Sequence, residues 1–407
     1  MIKTPFNSTR QSQSAILQAD MQKAMSSKQI KSGYYFRLPA ITQLTIPQQA
    51  ALNEPKQIAL SGGPGTGKSV VSLWRHISNY QKGKRSLLLT YTTTLKQYLK
   101  ACCRLQDTSA ANNVGTLIHN KPTIKWSEII VDEAQDMENN YYHDIKRLGS
   151  VSYGADDSQI LYPEHCSTQN DLSTIFPTNI NCVLDKNFRS TQRIMQFCKQ
   201  AFPFANIPMS IINGLSNNVG EKPVLLISNG NKYERSNEEQ DAAINRIISS
   251  FRANDHNIAI LVPWQNDVRV FESVLNDIGL KKEIDYSSYC GDDYDFSNGC
   301  GDILNIHITT FKSAKGLEFD TVIIPNFNKY YEICGNYNTE WQDFYVACTR
   351  ARSNLYLISN YNLPQLHSVT DFDNTVGFDS PQKQPVLNTP YNSTNDTHIS
   401  FSNDLPF

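Results

Sequence analysis

The segment GGPGTGKS, residues 62–69, restricts the fold of this chain more than any other stretch. A short apolar run, QIALSG, leads into it, and KSVVSLWRHISNYQK, with apolar residues at helical spacing, follows it. The pattern G-x-x-x-x-G-K-[ST] between a strand and a helix is a loop that binds phosphates. Its glycines let backbone N–H groups curl around the β-phosphate, and the helix N-terminus adds a favourable field. The sequence therefore predicts an α/β domain that binds a nucleoside triphosphate.

Two side chains of this loop have separate predicted roles. Lys68 would reach the β- and γ-phosphates, and the Ser69 hydroxyl would bind Mg²⁺. The backbone around the phosphates would come from Gly63, Pro64, Gly65, Thr66 and Gly67.

An acidic strand end supplies the second half of the predicted site. In IIVDEAQD, residues 129–136, Asp132 and Glu133 come directly after an apolar run. Asp132 would hold Mg²⁺, and Glu133 is placed to orient and deprotonate an attacking water. Together with the phosphate-binding loop, this pair predicts Mg²⁺-dependent hydrolysis of the triphosphate.

Short apolar runs alternate with helical patterns along most of the chain. Such runs between helices are typical of parallel sheets covered on both faces, so we expect two α/β units, over residues 44–183 and 184–365. Residues 1–43 are predicted to be an appendage with one helical piece. Residues 366–407 are rich in Asn, Thr, Ser, Asp and Pro. They are predicted to be a disordered acidic tail, because too little apolar surface remains there to offset chain entropy.

The composition argues against several other classes. No apolar run is long enough for a transmembrane helix and no apolar signal segment opens the chain, so a cytoplasmic protein without membrane contacts is expected. The nine cysteines form no zinc-binding pattern and are expected to stay reduced. The net charge is −2, and residues 371–407 carry five Asp and one Lys, so the remainder is slightly positive. A chain whose main part is nearly neutral can still bind single-stranded nucleic acid through a local groove.

Further blocks follow one another in a fixed order. LTIPQQAAL precedes the phosphate-binding loop, and LLLTYTTTL, GADDSQILY, LDKNFRST, ITTFKSAKGLEFDTVIIP and FYVACTRARSNLYL come after it. In this order the set resembles the UvrD/Rep-type superfamily 1 DNA helicases over residues 44–360. The resemblance implies two RecA-like P-loop NTPase domains in tandem, ATP as the nucleotide, and 3′→5′ movement along single-stranded DNA.

The resemblance also assigns residues to the nucleotide. Gln48 matches the glutamine that reads the adenine edge, which an amide can pair with through two hydrogen bonds. Phe188 stands where the family usually places an aromatic ring on the adenine. Glu318 lies where the family contacts the ribose.

Two arginines and a glutamine match the groups that respond to the γ-phosphate. Arg189, beside Phe188, and Arg350 resemble arginine fingers from the second domain, each worth on the order of 10³–10⁵ in turnover. Gln159 resembles the sensor that couples the γ-phosphate to the strand-binding face. ATP would draw the two domains together, and hydrolysis would release them.

The predicted nucleic-acid contacts are carried by short polar and aromatic segments. His119 stands one residue out of register with the family's T-x-H segment. The matching positions are Thr90, Tyr91, Thr93, Thr116, Thr310 and Lys312.

Some features depart from the family pattern. The glutamine block continues as YPEHCST instead of an aromatic followed by R-G, so Tyr162 is the nearest ring. The spacing of the blocks leaves no room for the inserted domains of large family members. The alternative to a translocase is therefore an ATP-switched DNA-binding clamp or recruiter that does not unwind. The alternative to DNA as the bound strand is RNA. The sequence leaves the pathway open among replication, repair, plasmid biology and phage defence.

The last residues form a separate motif. Asp404, Leu405, Pro406 and Phe407 resemble the tip of bacterial single-stranded-DNA-binding protein, an acidic stretch that ends in D-[IL]-P-F. Phe407 could fill an apolar pocket while its α-carboxylate meets an arginine. This tip is expected to bind proteins that normally read the single-stranded-DNA-binding-protein tip.

Overall fold

Two parallel sheets with helices on their faces make up the part of the chain that the computed structural model describes. The described residues are 33–35, 38–117, 122–205, 207–228, 230–231, 234–253, 255–277, 285–289, 303–330, 341–361, 363 and 373–376. This arrangement confirms the predicted α/β class with two sheet domains.

The first lobe carries a six-stranded sheet in the order β3-β2-β4-β5-β1-β6, with every strand pair parallel. Its strands are β1 (Ile58–Ser61), β2 (Ser86–Thr90), β3 (Val114–Thr116), β4 (Glu128–Val131), β5 (Ser150–Gly154) and β6 (Ile180–Val183). Its helices are α1 (Ile46–Asn53), α2 (Lys68–Gln81), α3 (Thr93–Arg104), α4 (Thr108–Ala111), α5 (Asn139–Ile145) and α6 (Gln169–Ile175).

The second lobe carries a seven-stranded sheet in the order β13-β7-β12-β11-β8-β10-β9, also with parallel pairs throughout. Its strands are β7 (Val224–Ile227), β8 (Ile258–Val262), β9 (Ser287–Tyr289), β10 (Ile306–Thr310), β11 (Phe319–Ile324), β12 (Ala351–Ser359) and β13 (Asp373–Val376). Its helices are α7 (Gln192–Ala201), α8 (Met209–Asn213), α9 (Glu238–Phe251), α10 (Gln265–Asp277) and α11 (Trp341–Cys348).

Most residues of the inner strands are buried, as is typical of parallel sheets covered on both faces. All five residues of β2 and all five of β8 are buried. An apolar cluster continues from one lobe into the other, since Leu95 and Tyr98 of α3 belong to the same cluster as Phe311 and Phe319 of the second lobe. The lobes are therefore packed against each other through apolar side chains.

Two boundaries in the second lobe are set by strand pairing. In the block FYVACTRARSNLYL, α11 ends at Cys348 and Ala351 already begins β12, which pairs with the buried strand β11. The strand β13 lies inside the segment predicted as tail and pairs with β7 through its backbone. An edge strand can form by backbone pairing without an apolar sequence, which is why composition gave no sign of it.

Candidate nucleotide site and inter-lobe groove

A cavity of about 460 Å³ lies between the lobes at the phosphate-binding loop. From the first lobe it is lined by Gln48, residues 65–70, Glu133 and Gln159. From the second lobe it is lined by Gly316, Glu318 and Arg352. Phe188 and Arg189, from the connector between β6 and α7, also line it. The structure thus brings most of the predicted nucleotide residues to one cavity.

Glycines of the phosphate-binding loop adopt backbone conformations that favour this residue type. Gly65 has φ 72° and Gly67 has φ 90°, a left-handed backbone that other residues rarely adopt. Lys68 Nζ donates to the carbonyl oxygens of Gly62 (2.6 Å) and Gly63 (3.0 Å), and lies 3.4 Å from Asp156. The ammonium is therefore held over the loop by carbonyl groups that a phosphate oxygen could replace.

Asp132 and Glu133 differ sharply in electrostatic environment. Asp132 is buried, its Oδ2 has no hydrogen-bond partner among the described residues, and burial together with the charge of Glu133 raises its pKa to about 7. Burial also acts to raise the pKa of Glu133, but Lys315 and Lys68 outweigh it and lower that pKa to about 2. The unpartnered carboxylate oxygen of Asp132, beside the hydroxyl of Ser69, fits a cation site.

Arg350 is buried completely and reaches the cavity through Gln159. Its Nη2 donates to Gln159 Oε1 (2.8 Å), and its Nε donates to the carbonyl of Val346 (2.9 Å). Burial, followed by the nearby charge of Arg189, lowers the pKa of Arg350. Arg350 does not itself line the cavity in this structure, whereas Gln159 does.

Glu318 joins two guanidinium groups in the cavity wall. Its carboxylate lies 3.3 Å from Arg189 Nε and 2.6 Å from Arg352 Nη1. Arg352 was not among the predicted site residues, although it stands two residues after Arg350 in the same block. Arg189 lies on the connector, which is fixed to the phosphate-binding loop because the Phe188 N–H donates to the carbonyl of Gly65 (2.8 Å).

Lys315 is the second residue that the sequence analysis missed. Its Nζ donates to both carboxylate oxygens of Asp136 (2.7 and 2.6 Å) and to the carbonyl of Gln159 (2.6 Å), and it lies 3.5 Å from Glu133. The signal available in the sequence was the lysine of SAKG, which stands in a block that the family resemblance already marked. Lys315 ties the second lobe to the acidic segment of the first.

Gln48 is already engaged within the first lobe. Its Oε1 accepts from the N–H of Thr45 (2.9 Å), and its Nε2 donates to the carbonyl of Thr66 (3.0 Å). The amide therefore links α1 to the phosphate-binding loop, and it retains one N–H and one lone pair for another partner. Phe188 is 47% exposed, so its ring is accessible in the cavity.

A second cavity, of about 610 Å³, lies between the lobes at several of the residues predicted to contact nucleic acid. We call it the inter-lobe groove. Tyr91 and Tyr162 pack against each other in it with ring centroids 5.0 Å apart and ring planes tilted by 39°, and Lys312 Nζ lies 4.9 Å from the centroid of Tyr162. Thr93 and Thr310 also line it. Aromatic rings beside a lysine are the features that bind single-stranded nucleic acid.

Trp264 is a further ring of the groove that the sequence analysis missed. It is 42% exposed, and Lys329 Nζ lies 5.0 Å from its ring centroid. It stands between Pro263 and the start of α10 at Gln265, so its backbone is held on both sides. The available signal was a tryptophan two residues after the apolar run IAILV.

Other predicted contacts lie elsewhere. Thr90 and Thr116 are buried opposite each other in β2 and β3, and the structure does not bring them to the groove, because their positions fall inside the parallel pairing of the strands. His119 and residues 404–407 are outside the described residues, so these assignments stay predictions.

Within the described parts of the chain, no cluster of His, Cys, Asp and Glu has the make-up of a metal site. The cysteines found there are all free thiols. None of the helices that could be searched is both long and apolar enough to cross a bilayer.

Comparisons with known proteins point to helicases. The model of the UvrD-like helicase C-terminal domain matches residues 293–362. A candidate ATP-dependent DNA helicase of Acanthamoeba polyphaga mimivirus is 27% identical over 272 residues, which are 60% of this chain and 36% of the viral protein. The RecBCD enzyme subunit RecB of Chlamydia pneumoniae is 35% identical over 81 residues, which are 20% of this chain and 8% of RecB.

Two solved structures resemble the chain at low identity. The C-terminal domain of a possible DNA helicase from Lactobacillus plantarum is 22% identical, with a TM-score of 0.30, and the match covers 46% of this chain and 98% of that domain. Arterivirus nonstructural protein 10, a helicase, is 13% identical, with a TM-score of 0.38, and the match covers 79% of this chain and 63% of the viral one. The family model thus shows a likeness to UvrD-like helicase C-terminal domains over residues 293–362, and the matches cover 36% and 8% of the lengths of the two sequence relatives.

Proposed function

We propose that this chain is an ATP-driven translocase or helicase on single-stranded DNA, moving 3′→5′. The observation that carries the proposal is the composite cavity, in which Lys68 and Glu133 of the first lobe face Glu318 and Arg352 of the second. Because the chain spans 36% of the viral relative, the activity of that whole protein does not transfer by similarity alone.

The side chains of the cavity have distinct proposed roles. Lys68 exchanges its loop carbonyls for the β- and γ-phosphates, and Glu133, charged at neutral pH, accepts the proton of the attacking water. Arg189 leaves Glu318 to meet the charge that develops on the phosphate. Ser69 and Asp132 would hold Mg²⁺, which neutralises phosphate charge in such reactions.

The loop that follows β10 connects the two cavities. Lys312 lines the inter-lobe groove, and Lys315, three residues later, binds Asp136 beside the nucleotide cavity. Gly316 then lines the nucleotide cavity itself. A shift of this loop when the γ-phosphate is lost would move Lys312 against the Tyr91–Tyr162 pair. We propose that this coupled movement of the loop moves the bound strand.

The proposal is tested by ATP hydrolysis with single-stranded DNA of several lengths. A translocase that starts anywhere and leaves at an end hydrolyses more ATP per binding event on longer strands, so the rate rises with length. Displacement of streptavidin from a biotin at the 5′ end, and not at the 3′ end, is the expected sign of 3′→5′ movement. Lys68→Ala should abolish the hydrolysis. DNA-stimulated hydrolysis that persists in Lys68→Ala refutes the assignment.

A DNA clamp that switches with ATP and does not travel is the second candidate. The observation that favours it is the closeness of the lobes, which share an apolar cluster and the buried Lys315–Asp136 pair, so that repeated separation would be costly. The same assay separates the two, since a clamp gives hydrolysis that does not depend on strand length. Competition by single-stranded RNA would reveal RNA as the track.

A further inference from the structure

The segment before α1 crosses from one lobe to the other, and we call residues 33–35 and 38–44 the N-terminal strap. At its start, Gly33 forms a backbone bridge with Leu304 of the second lobe, and the Tyr34 N–H donates to the carbonyl of Ile303 (2.8 Å). Toward its end, the carbonyl of Pro39 accepts from Trp74 Nε1 of the first lobe (2.9 Å). The strap is therefore fixed to both lobes.

Tyr34 fills the space between the lobes. Its ring is 4% exposed and makes edge-to-face contacts with Tyr98 of the first lobe (centroids 5.9 Å apart) and Phe319 of the second (5.7 Å). Its hydroxyl donates to the carbonyl of Glu318, the residue that binds Arg189 in the nucleotide cavity. The strap thus reaches the wall of that cavity.

Tyr35 has a fixed backbone and an accessible ring. Its N–H donates to Asn257 Oδ1 (2.8 Å), and its carbonyl accepts from Asn257 Nδ2 (2.9 Å). Asn257 is buried completely, so this two-bond anchor is rigid. The side chain of Tyr35 is 46% exposed and lines the nucleotide cavity. A ring on an anchored backbone loses little conformational freedom when it binds a ligand.

The cavity therefore holds two half-exposed aromatic rings, Tyr35 on the strap and Phe188 on the connector, in addition to its phosphate-binding loop. Leu38, Val70 and Leu73 give the same cavity apolar walls. Flat rings with apolar neighbours bind a nucleobase through its face, which every base possesses. Gln48 also lines the cavity, where its amide already makes two hydrogen bonds within the first lobe.

We propose that the N-terminal strap is part of the nucleotide site, and that Tyr35 and Phe188 together hold the base of the nucleotide. This inference rests on the proposed function, because it assumes that the cavity binds ATP. It predicts that the base-binding energy, and not the phosphate-binding energy, depends on a residue outside both sheet domains.

The test compares two ligands in equilibrium titrations on the full chain: the non-hydrolysable ATP analogue adenylyl-imidodiphosphate and inorganic tripolyphosphate. Tyr35→Ala should bind the analogue about 10-fold more weakly, which is the size expected for one lost base–aromatic stack, and should bind tripolyphosphate as the unchanged protein does. Tyr35→Phe keeps the ring and should retain the analogue affinity. Ile41→Ala, an exposed residue of the same strap, is the matched control and should change neither.

The outcomes separate the inference from the proposed function. If Lys68→Ala weakens both ligands while Tyr35→Ala binds both normally, the cavity is a nucleotide site and the role of Tyr35 is wrong. If Tyr35→Ala weakens both ligands equally, the strap has only a structural effect, and the inference is overturned. If Lys68→Ala binds both ligands normally, the proposed function itself fails.

Discussion

Lys315 Nζ lies 2.6 Å from a carboxylate oxygen of Asp136, and this ion pair joins the two lobes in a place where both side chains are buried. Burial raises the pKa of Asp136 to about 6, against the opposing effect of Lys315. The same ammonium lowers the pKa of Glu133. One lysine of the second lobe therefore controls the charge of two carboxylates beside the proposed reaction site.

The first prediction concerns the stability of this pair. Asp136→Asn or Lys315→Met alone leaves one buried group without its counter-charge, so each should lower the free energy of unfolding by about 3–5 kcal/mol. The double variant should lose much less than the sum of the two. Urea unfolding of the four proteins measures the coupling. Lys146→Met, on an exposed lysine, is the control, and simple additivity of the two losses would contradict the pairing.

The second prediction is that Trp264 stacks on a base of the bound strand. Trp264→Ala should weaken the binding of single-stranded DNA by about 10-fold, because one base–aromatic contact is worth about 1–3 kcal/mol. Trp264→Phe keeps a ring and should restore most of the affinity. Fluorescence anisotropy with a labelled oligonucleotide measures both. Equal affinities for Trp264→Ala and the unchanged protein would remove Trp264 from the binding surface.

The third prediction separates charge from stacking at Lys312. A lysine that neutralises one phosphate of a single strand contributes about 0.7 to the slope of log affinity against log salt concentration. Lys312→Ala should therefore bind DNA less tightly and with a shallower salt dependence. Its ion pair with Asp343, at 3.8 Å, will reduce the effect. Lys82→Ala removes the same charge from an exposed site on α2's C-terminal side and should leave the slope unchanged.

The fourth prediction follows from the buried ring of His76. Because the carbonyl of Ala110 can only accept, Nε2 (3.0 Å away) donates to it, and in the neutral ring Nδ1 accepts from the hydroxyl of Ser86 (2.9 Å). Burial lowers the pKa of His76 to about 4. Between about pH 6.5 and about pH 4 the unfolded chain then binds a proton that the folded chain does not.

The free energy of unfolding should therefore fall as the pH is lowered through that window, by about 3 kcal/mol in total for this one group, and the loss should level off below it. Urea unfolding at pH 7 and pH 5 measures the first part of the loss. His76→Gln should show a smaller difference between the two pH values than the unchanged protein. His143→Gln, on an exposed histidine, is the matched control. Identical pH dependence in all three proteins would contradict this account.

The sequence predicted those parts of the site whose residues are close together along the chain. The phosphate-binding loop needs glycines at fixed spacing for its left-handed turns, and the acidic pair needs only a preceding apolar strand. Both features are local, so short sequence patterns are enough to predict them. The class of fold was predictable for the same reason, since buried parallel strands must be continuously apolar.

The contacts between the lobes were not predictable in this way. Lys315 and Asp136 are 179 residues apart, and Tyr35 and Asn257 are 222 apart, so no local pattern links them. Tyr35 belongs to a polar, irregular stretch that looked like an appendage. Its role depends on where the strap crosses the cavity, and that position is set by the packing of Tyr34.

The central claim is that ATP hydrolysis requires a guanidinium supplied from outside the first lobe. The most direct measurement is the turnover of ATP by Arg189→Gln at saturating ATP and single-stranded DNA, with Arg147→Gln, an exposed arginine of the first lobe, as the control. The account predicts that turnover falls on the order of 10³-fold in Arg189→Gln and is unchanged in the control. Turnover by Arg189→Gln within about twofold of the unchanged protein would contradict it.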